Sequence, residues 1–409
     1  MEVKDMQFTT NLSREEYDAF VASHPNSNLL QSYDWARVKS NWDHLYTGMK
    51  NEEGKLIATA LVLIKPLPGG FSMMYIPRGP ILDYTNQPLL TAFLRHLKQE
   101  GKKRRALFIK MDPAIIIGKY PSSDTSRPKN GQEALVKNFE NAGCIHQGFT
   151  TMISESIQPR FHSIVDRPED LLASLPKKTK KLIKEAEKRH LKIVQGRHAL
   201  LEDFASLVAK TEDRKHVALR SKEYFKHLLD CYGDNSIIML AIADLGLILS
   251  ENQKKLAKIE ADLTSLPENQ KKKRFTLEEQ KAGLEKDIAN LEQFGKELGT
   301  LDPTPIAGVL TIKYGKCAEM LYAGMDDRFR RFMPQYKTYI ENFQWAFDHG
   351  CEEFSMGGVE GTLDDGLTHF KDNFAPLIHE YIGEFDLPVN ALLYKPSKWA
   401  YNRRKGGQD

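Results

Sequence analysis

Cysteine is scarce: Cys144, Cys231, Cys317 and Cys351 are scattered over 409 residues, with no CxxC pair and no histidine at metal-ligand spacing. That argues against a zinc site and a disulfide framework, so buried thiols in a reducing cytoplasm are expected. Long apolar runs are missing too. None approaches the ~18–20 residues needed to span a bilayer, and the opening MEVKDMQFTTNLSREEY has no apolar signal core. Nor does one sign of charge dominate: 58 Lys+Arg against 55 Asp+Glu leave a net +3. Global charge therefore announces no nucleic-acid binder, and any such role rests on local patches. There is no GxxxxGK(S/T) phosphate loop, no GxGxxG after a strand, no HExxH and no GxSxG. Ligation through a Walker site is thereby excluded. The Arg/Gln-x-x-Gly-x-Gly/Ala turn that holds acyl-coenzyme A pyrophosphate is also absent. Neither cofactor nor metal is expected.

What is present alternates between helix and strand signals. A chain this long exceeds one ordinary core, so two domains are expected, with room for an insertion. Ser13-Arg14-Glu15-Glu16 starts a helix with Tyr17, Phe20 and Val21 on one face. Leu56–Ile64 is an apolar run stopped by Pro66 and Pro68, which predicts a buried strand, and Ala106–Met111 is another, closed by Asp112-Pro113. A second α/β run begins near Ile157. It includes helices over Leu200–Thr211 and Ser221–Cys231, and a hairpin of Ile306–Tyr314 with Cys317–Tyr322 around Gly315-Lys316. The fold class is α/β (α+β).

For about fifty residues that alternation stops. Leu249, Leu256 and Leu263 recur every seven, with Ile259 and Leu266 filling the alternate seam. Beyond Pro267 and a polar turn holding Lys271–Arg274, the heptad resumes at Leu277, Leu284, Leu291 and Leu298. Such spacing on both sides of one turn predicts an antiparallel coiled-coil arm over residues 247–298. With about twenty residues in each limb it reaches roughly 30 Å. A dimerisation zipper or a merely solvated hairpin stays open as a reading. The basic tip suggests an anionic partner.

Several polar residues sit in aromatic context. Gln31–Lys39 reads as a helix with Trp35 and Val38 inward and Lys39 emerging at its end, where a solvated lysine is the commoner finding. Tyr75-Ile76-Pro77-Arg78-Gly79-Pro80 is a stiff turn suited to a pocket wall. Arg220 and Tyr224 lie four apart at a helix start and can face one ligand. Ser355–Gly361 is glycine-rich and leads to Lys371, bracketed by Phe370 and Phe374. A lysine so bracketed is partly desolvated and fit to stabilise an oxyanion. Lys177–Lys192 carries seven lysines and one arginine against two glutamates. It is either a solvated helix or a phosphate-contacting surface formed by Lys177, Lys178, Lys180, Lys181 and Lys184.

LLQSYDWARVKSNW, YIPRGPILDY, IKMDP, IQPR, TEDRKHVALRSKEYF, LYAGMDD and GGVEGTLDDGLTHFKDNF occur here in one order. In that order they resemble the Fem family of non-ribosomal aminoacyltransferases, which build peptidoglycan interpeptide bridges. The likeness is strongest to the FemX/MurM-like group and covers nearly the whole chain. It implies two GNAT-like lobes: 1–155 completed by 382–409, and 156–381 carrying the arm. It also implies an aminoacyl-tRNA donor and a muropeptide acceptor, lipid II or a UDP-linked precursor. Alanine or serine is the expected cargo, with glycine behind. By the same resemblance Lys39, Arg220, Tyr224 and Tyr322 bind the acceptor, Lys371 stabilises the transition state, and Asp112 belongs to the catalytic set. His216-Val217-Ala218-Leu219 departs from the Gly-Phe or Gly-Tyr common in the family, a change at the pocket floor that bears on acceptor fit.

The implied donor ester is already activated, which agrees with the missing ATP site. The attacking amine must lose a proton, to Asp112, a tRNA hydroxyl or water. Lys395, Lys398, Trp399, Arg403, Arg404 and Lys405 read as either a basic tail or a peripheral anchor to the inner membrane surface. Two other functions stay open: an acyl-coenzyme A dependent GNAT acyltransferase, and a non-catalytic tRNA or envelope adaptor using the arm.

Overall fold

The computed structural model describes residues 6–215 and 220–405. It is a mixed α/β fold built on two open sheets. The first runs Gln7–Thr9, Asp43–Lys50, Leu56–Leu67, Phe71–Ile76, Ala106–Met111, Phe385–Pro388, Ile145–His146, with Ile81–Leu82 added to Leu56–Leu67. The second runs Lys192–Gly196, Ser236–Asp244, Pro303–Tyr314, Cys317–Met325, Glu353–Val359, Phe161–Asp166, Leu377–Tyr381, Ile116–Tyr120. One strand crosses the sequence boundary expected at 155. Ile116–Tyr120 joins the second sheet beside Leu377–Tyr381, while Phe385–Pro388, within the 382–409 segment assigned to the first lobe, lies beside Ala106–Met111.

Leu56–Leu67 has no polar face because both of its faces are covered. Leu61 and Leu63 enter the core shared with the second lobe, while Ala58, Ala60 and Val62 pack under the helix Gln87–Lys103. The shared core runs from Trp35 and Val38 to Phe225, Leu228 and Leu229, so the lobes meet through apolar side chains. Polar ties reinforce that contact: Tyr314 donates to Asp18 at 2.7 Å, and the Ser32 and Tyr232 hydroxyls lie 2.7 Å apart.

The second sheet opens in its middle. Cys317–Met325 and Glu353–Val359 run parallel and pair over only three positions, Cys317 with Glu353 through Glu319 with Ser355. Beyond Ser355 their pairing ends, and the carbonyls of Gly357 and Gly358 are left to a side-chain donor. Gly324, on the first of these strands, is required by packing: a Cβ there would stand 2.6 Å from the backbone of Leu207 and Val208.

The arm consists of helices Leu245–Ser265 and Lys271–Leu298, roughly 30 and 40 Å long at 1.5 Å per residue. Its ends meet, since Asp244 pairs with Pro303 and Gly246 N–H donates to Leu301 at 2.9 Å. The arm is therefore an insertion in the turn of a β-hairpin. Leu256, Ile259, Leu263, Leu277, Leu284 and Ile288 are half-buried along the seam, as heptad spacing requires. Lys281 pairs with Glu260 across it at 2.8 Å. Lys271–Arg274 differ from expectation: they form the first turn of the second helix rather than the loop. The helical reading over Gln31–Lys39 also changes. Leu29–Gln31 is a 3-10 turn, Tyr33–Val38 is helical and Lys39 caps it, because Gln31 is drawn into the core by bonds with Leu61 and Pro77. Among the described residues no helix is long and apolar enough to cross a membrane.

Candidate active site

Two constellations lie along the lobe seam. The first joins Lys39 of the first lobe to Arg220, Tyr224 and Tyr322 of the second. Lys39 caps its helix with Nζ 5.1 Å from the Trp35 ring centroid. Burial, and then the Arg220 guanidinium, hold its pKa below the usual lysine range. Arg220 is exposed, with its guanidinium 5.1 Å from the Tyr224 ring, and Tyr224 meets Tyr322 edge to face at 6.1 Å. Ser221 starts this helix by accepting from the Tyr224 N–H. Two cations that repel each other beside two phenols suit a phosphate, whose charge relieves the repulsion. His216–Leu219, the family departure, fall outside the described residues.

The second constellation gathers around Arg78. Lys110 lies near the end of the strand Ala106–Met111 and Asp112 just past it, two residues on, so both side chains face the seam. Asp112, 2% exposed, accepts from the Arg78 N–H at 3.1 Å and lies 3.7 Å from its guanidinium. Burial raises the Asp112 pKa to about 7, with Arg78 opposing and Glu384 adding to the rise. Arg78 also donates to the Pro159 carbonyl at 2.7 Å, lies 3.0 Å from His162 Nε2 and stacks 4.3 Å from the Tyr381 ring. Burial, then Arg78, then Lys371 push the pKa of His162 well down, which keeps the imidazole neutral. Lys110 bridges Glu384 and Asp386, each at 2.8 Å.

Lys371 reaches this seam from the opposite side. Asp365 caps its short helix, and Phe370 and Phe374 pack on Tyr339 with ring centroids 5.4 and 5.1 Å away. Those rings fix the turn, leaving Lys371 pointing towards the slot between the parted strands. It is 4% exposed and donates to the Gly358 carbonyl at 2.9 Å and to Gly357 at 3.1 Å. Gly357 has φ +81°, a conformation that favours glycine. Lys371 and Asp112 thus flank the Arg78–His162 contact, one on each side. Tyr322 belongs to the other group but shares a strand with Met320, whose carbonyl lines the same slot.

The basic helix Lys177–Lys188 packs beside this turn, with Thr179 donating to the Asn373 carbonyl. Lys177, Lys178, Lys181 and Lys184 are exposed, whereas Lys180 folds back to donate to Ala173 at 2.8 Å. Just past the helix, Arg189 and His190 pair with Asp287 and Glu251 at the base of the arm. A cavity of about 490 Å³ opens farther along the seam, lined by His162, Glu319, Glu353, Ser355 and Tyr381 among others.

A family model described as the FemAB family matches residues 12–402. The chain belongs to the FemAB family. As a member it is an aminoacyltransferase. It is 29% identical to the aminoacyltransferase FemA of Staphylococcus aureus, over 95% of this chain and 97% of that one. It is 28% identical to a lipid II:glycine glycyltransferase of Staphylococcus epidermidis, over 94% of this chain and 93% of that one. The crystal structure of FemX superposes with a TM-score of 0.74 at 26% identity, over 95% of this chain and 99% of that one.

Sequence reasoning passed over His162, Tyr381 and Glu384. His162 is a single histidine in the strand Phe161–Asp166, and Tyr381 and Glu384 sit in a run with no motif of its own. Their role comes from strand exchange, which carries residues 377–388 from one sheet to the other. The only available signal was the density of charged residues in an apolar stretch. Lys398 also departs from the basic-tail reading: it turns inward to pair with the fully buried Asp386 at 2.8 Å.

Proposed function

We propose that this FemAB member transfers an amino acid from aminoacyl-tRNA to the stem-peptide lysine of a lipid-linked peptidoglycan precursor, starting an interpeptide bridge. The observation that carries this reading is the meeting, across the lobe seam, of Lys39 with Arg220, Tyr224 and Tyr322. An acceptor bearing a pyrophosphate fits such a pair of cations. The stem-peptide amine then attacks the aminoacyl ester carbonyl. The carbonyl C–O π bond becomes an oxyanion, collapse of the tetrahedral intermediate breaks the ester C–O bond, and the proton lost by the amine ends on the released tRNA hydroxyl. The Lys371 ammonium, held by two backbone carbonyls, is a preorganised cation for that oxyanion. Asp112, with a pKa near neutrality, takes the proton from the attacking amine.

The exposed lysines of Lys177–Lys188 contact tRNA phosphates beside the slot. Exposed Leu392 and Trp399 on the C-terminal helix Ala391–Lys405 support a contact with the cytoplasmic membrane face, where a lipid-linked acceptor resides. The cargo is small: alanine or serine by the first-residue resemblance, while the name of the S. epidermidis relative brings glycine alongside. The test is incubation with lipid II and tRNA charged with labelled alanine, serine or glycine, followed by product mass. One donor is expected to add a single residue to lipid II. No product with any of the three removes the proposal.

A further inference from the structure

Asp166, Glu353 and His379 come from three neighbouring strands of the second sheet, and their ligand atoms all lie within 4.8 Å of one another. His379 is 1% exposed, and its Nε2 is buried with no hydrogen-bond partner. A buried polar nitrogen left unpaired costs about 1–3 kcal/mol, so an unpaired imidazole beside two carboxylates calls for an occupant.

The geometry points to a divalent cation site at Asp166, Glu353 and His379, selective for a first-row transition ion of the Mn²⁺–Zn²⁺ class. One imidazole and two carboxylates suit that class, whereas Mg²⁺ favours all-oxygen surroundings and keeps its water. Three protein ligands leave positions for water, and Glu353 lines the 490 Å³ cavity that supplies it. Lys119 now holds Glu353, with Nζ 3.2 Å from Oε1. It has to swing away when the ion enters, and with its side chain 41% exposed it has solvent to swing into. With Lys119 gone, the two carboxylates carry a formal −2, which the divalent cation neutralises.

The site's consequence is mechanical. Glu353 starts the strand that presents Gly357 and Gly358 to Lys371, and His379 lies eight residues beyond Lys371. An ion joining the three strands fixes one side of the slot, the glycine strand and its two neighbours, without touching the reacting atoms. No short spacing announces it, because residues 166, 353 and 379 meet only in the folded sheet.

The test titrates the full, metal-stripped chain with Mn²⁺, read as loss of the free-ion EPR signal, with Mg²⁺ as the competitor. One saturable site per chain is expected, resistant to excess Mg²⁺. Asp166 is exposed, so Asp166→Asn leaves the fold intact and weakens binding at least about tenfold, the lower bound for disturbing even an outer-shell partner. Lys119→Met tightens binding by freeing Glu353. Absence of saturable binding overturns the inference, and so does wild-type affinity in Asp166→Asn.

Discussion

Asp112 and Lys371 approach the Arg78–His162 contact from opposite lobes, and the chemistry assigned to each follows from its surroundings. Asp112 is buried with one backbone donor and a guanidinium 3.7 Å off, too little to hold it fully ionised. Its pKa rises to about 7. A base titrating there is protonated and idle below that pH and competent above it. The rate at limiting acceptor should therefore climb with pH and level off above about 7. In Asp112→Asn that limb should vanish, which a pH–rate profile of both proteins checks. The motifs IKMDP and FKxxF made both residues legible in the sequence. Their partners were not, because Arg78 and Tyr381 come from segments about three hundred residues apart. Lys398 shows the converse: read as surface charge, it is drawn inward by Asp386, an attraction no local pattern encodes.

Elements were more legible than residues wherever a period was strict. The heptads of the arm survive into the structure because its distal leucines have only the facing helix to pack on. Leu291 differs from its heptad mates: it is 1% exposed, at the arm's base, in a core shared with Ala186 and Leu191 beside the basic helix. Leu291→Ala should cost about 2–5 kcal/mol, whereas Leu277→Ala at the half-buried tip should cost well under that. Chemical denaturation of the two variants checks the contrast. The basic helix makes a separate prediction. Replacing Lys177, Lys178, Lys181 and Lys184 by Gln should weaken tRNA binding and reduce the slope of log K against log salt by roughly 1 for each lost phosphate contact. Lys180→Gln alone should do less, since its ammonium is engaged with Ala173. Filter binding at several salt concentrations reads both effects. The helix expected over Gln31–Lys39 is shorter, Tyr33–Val38, and the Gln31 side chain is tied instead to Leu61 and Pro77.

For the whole molecule, the decisive feature is the exchange of strands between the sheets. Ile116–Tyr120 leaves the first half of the chain for the second sheet, and Phe385–Pro388 comes back from the far end of the chain to the first, so neither sheet is built from one continuous half. Alternation of helix and strand announced two α/β units, but strand pairing between distant segments leaves no periodic trace. The seam so formed holds both constellations, with the basic helix and the arm at one margin and the C-terminal helix on the first sheet. The central claim is that this seam passes an amino acid from tRNA to a lipid-linked acceptor amine. Its most direct test is single-turnover transfer of a labelled residue to lipid II, by the wild type and by Lys371→Ala, with acetyl-coenzyme A as the alternative donor. The wild type should label lipid II from tRNA and leave acetyl-coenzyme A untouched, and Lys371→Ala should be slower by about 10²–10³ with lipid II binding unchanged. Acetyl transfer by the wild type, or near-normal aminoacyl transfer by Lys371→Ala, would contradict the account.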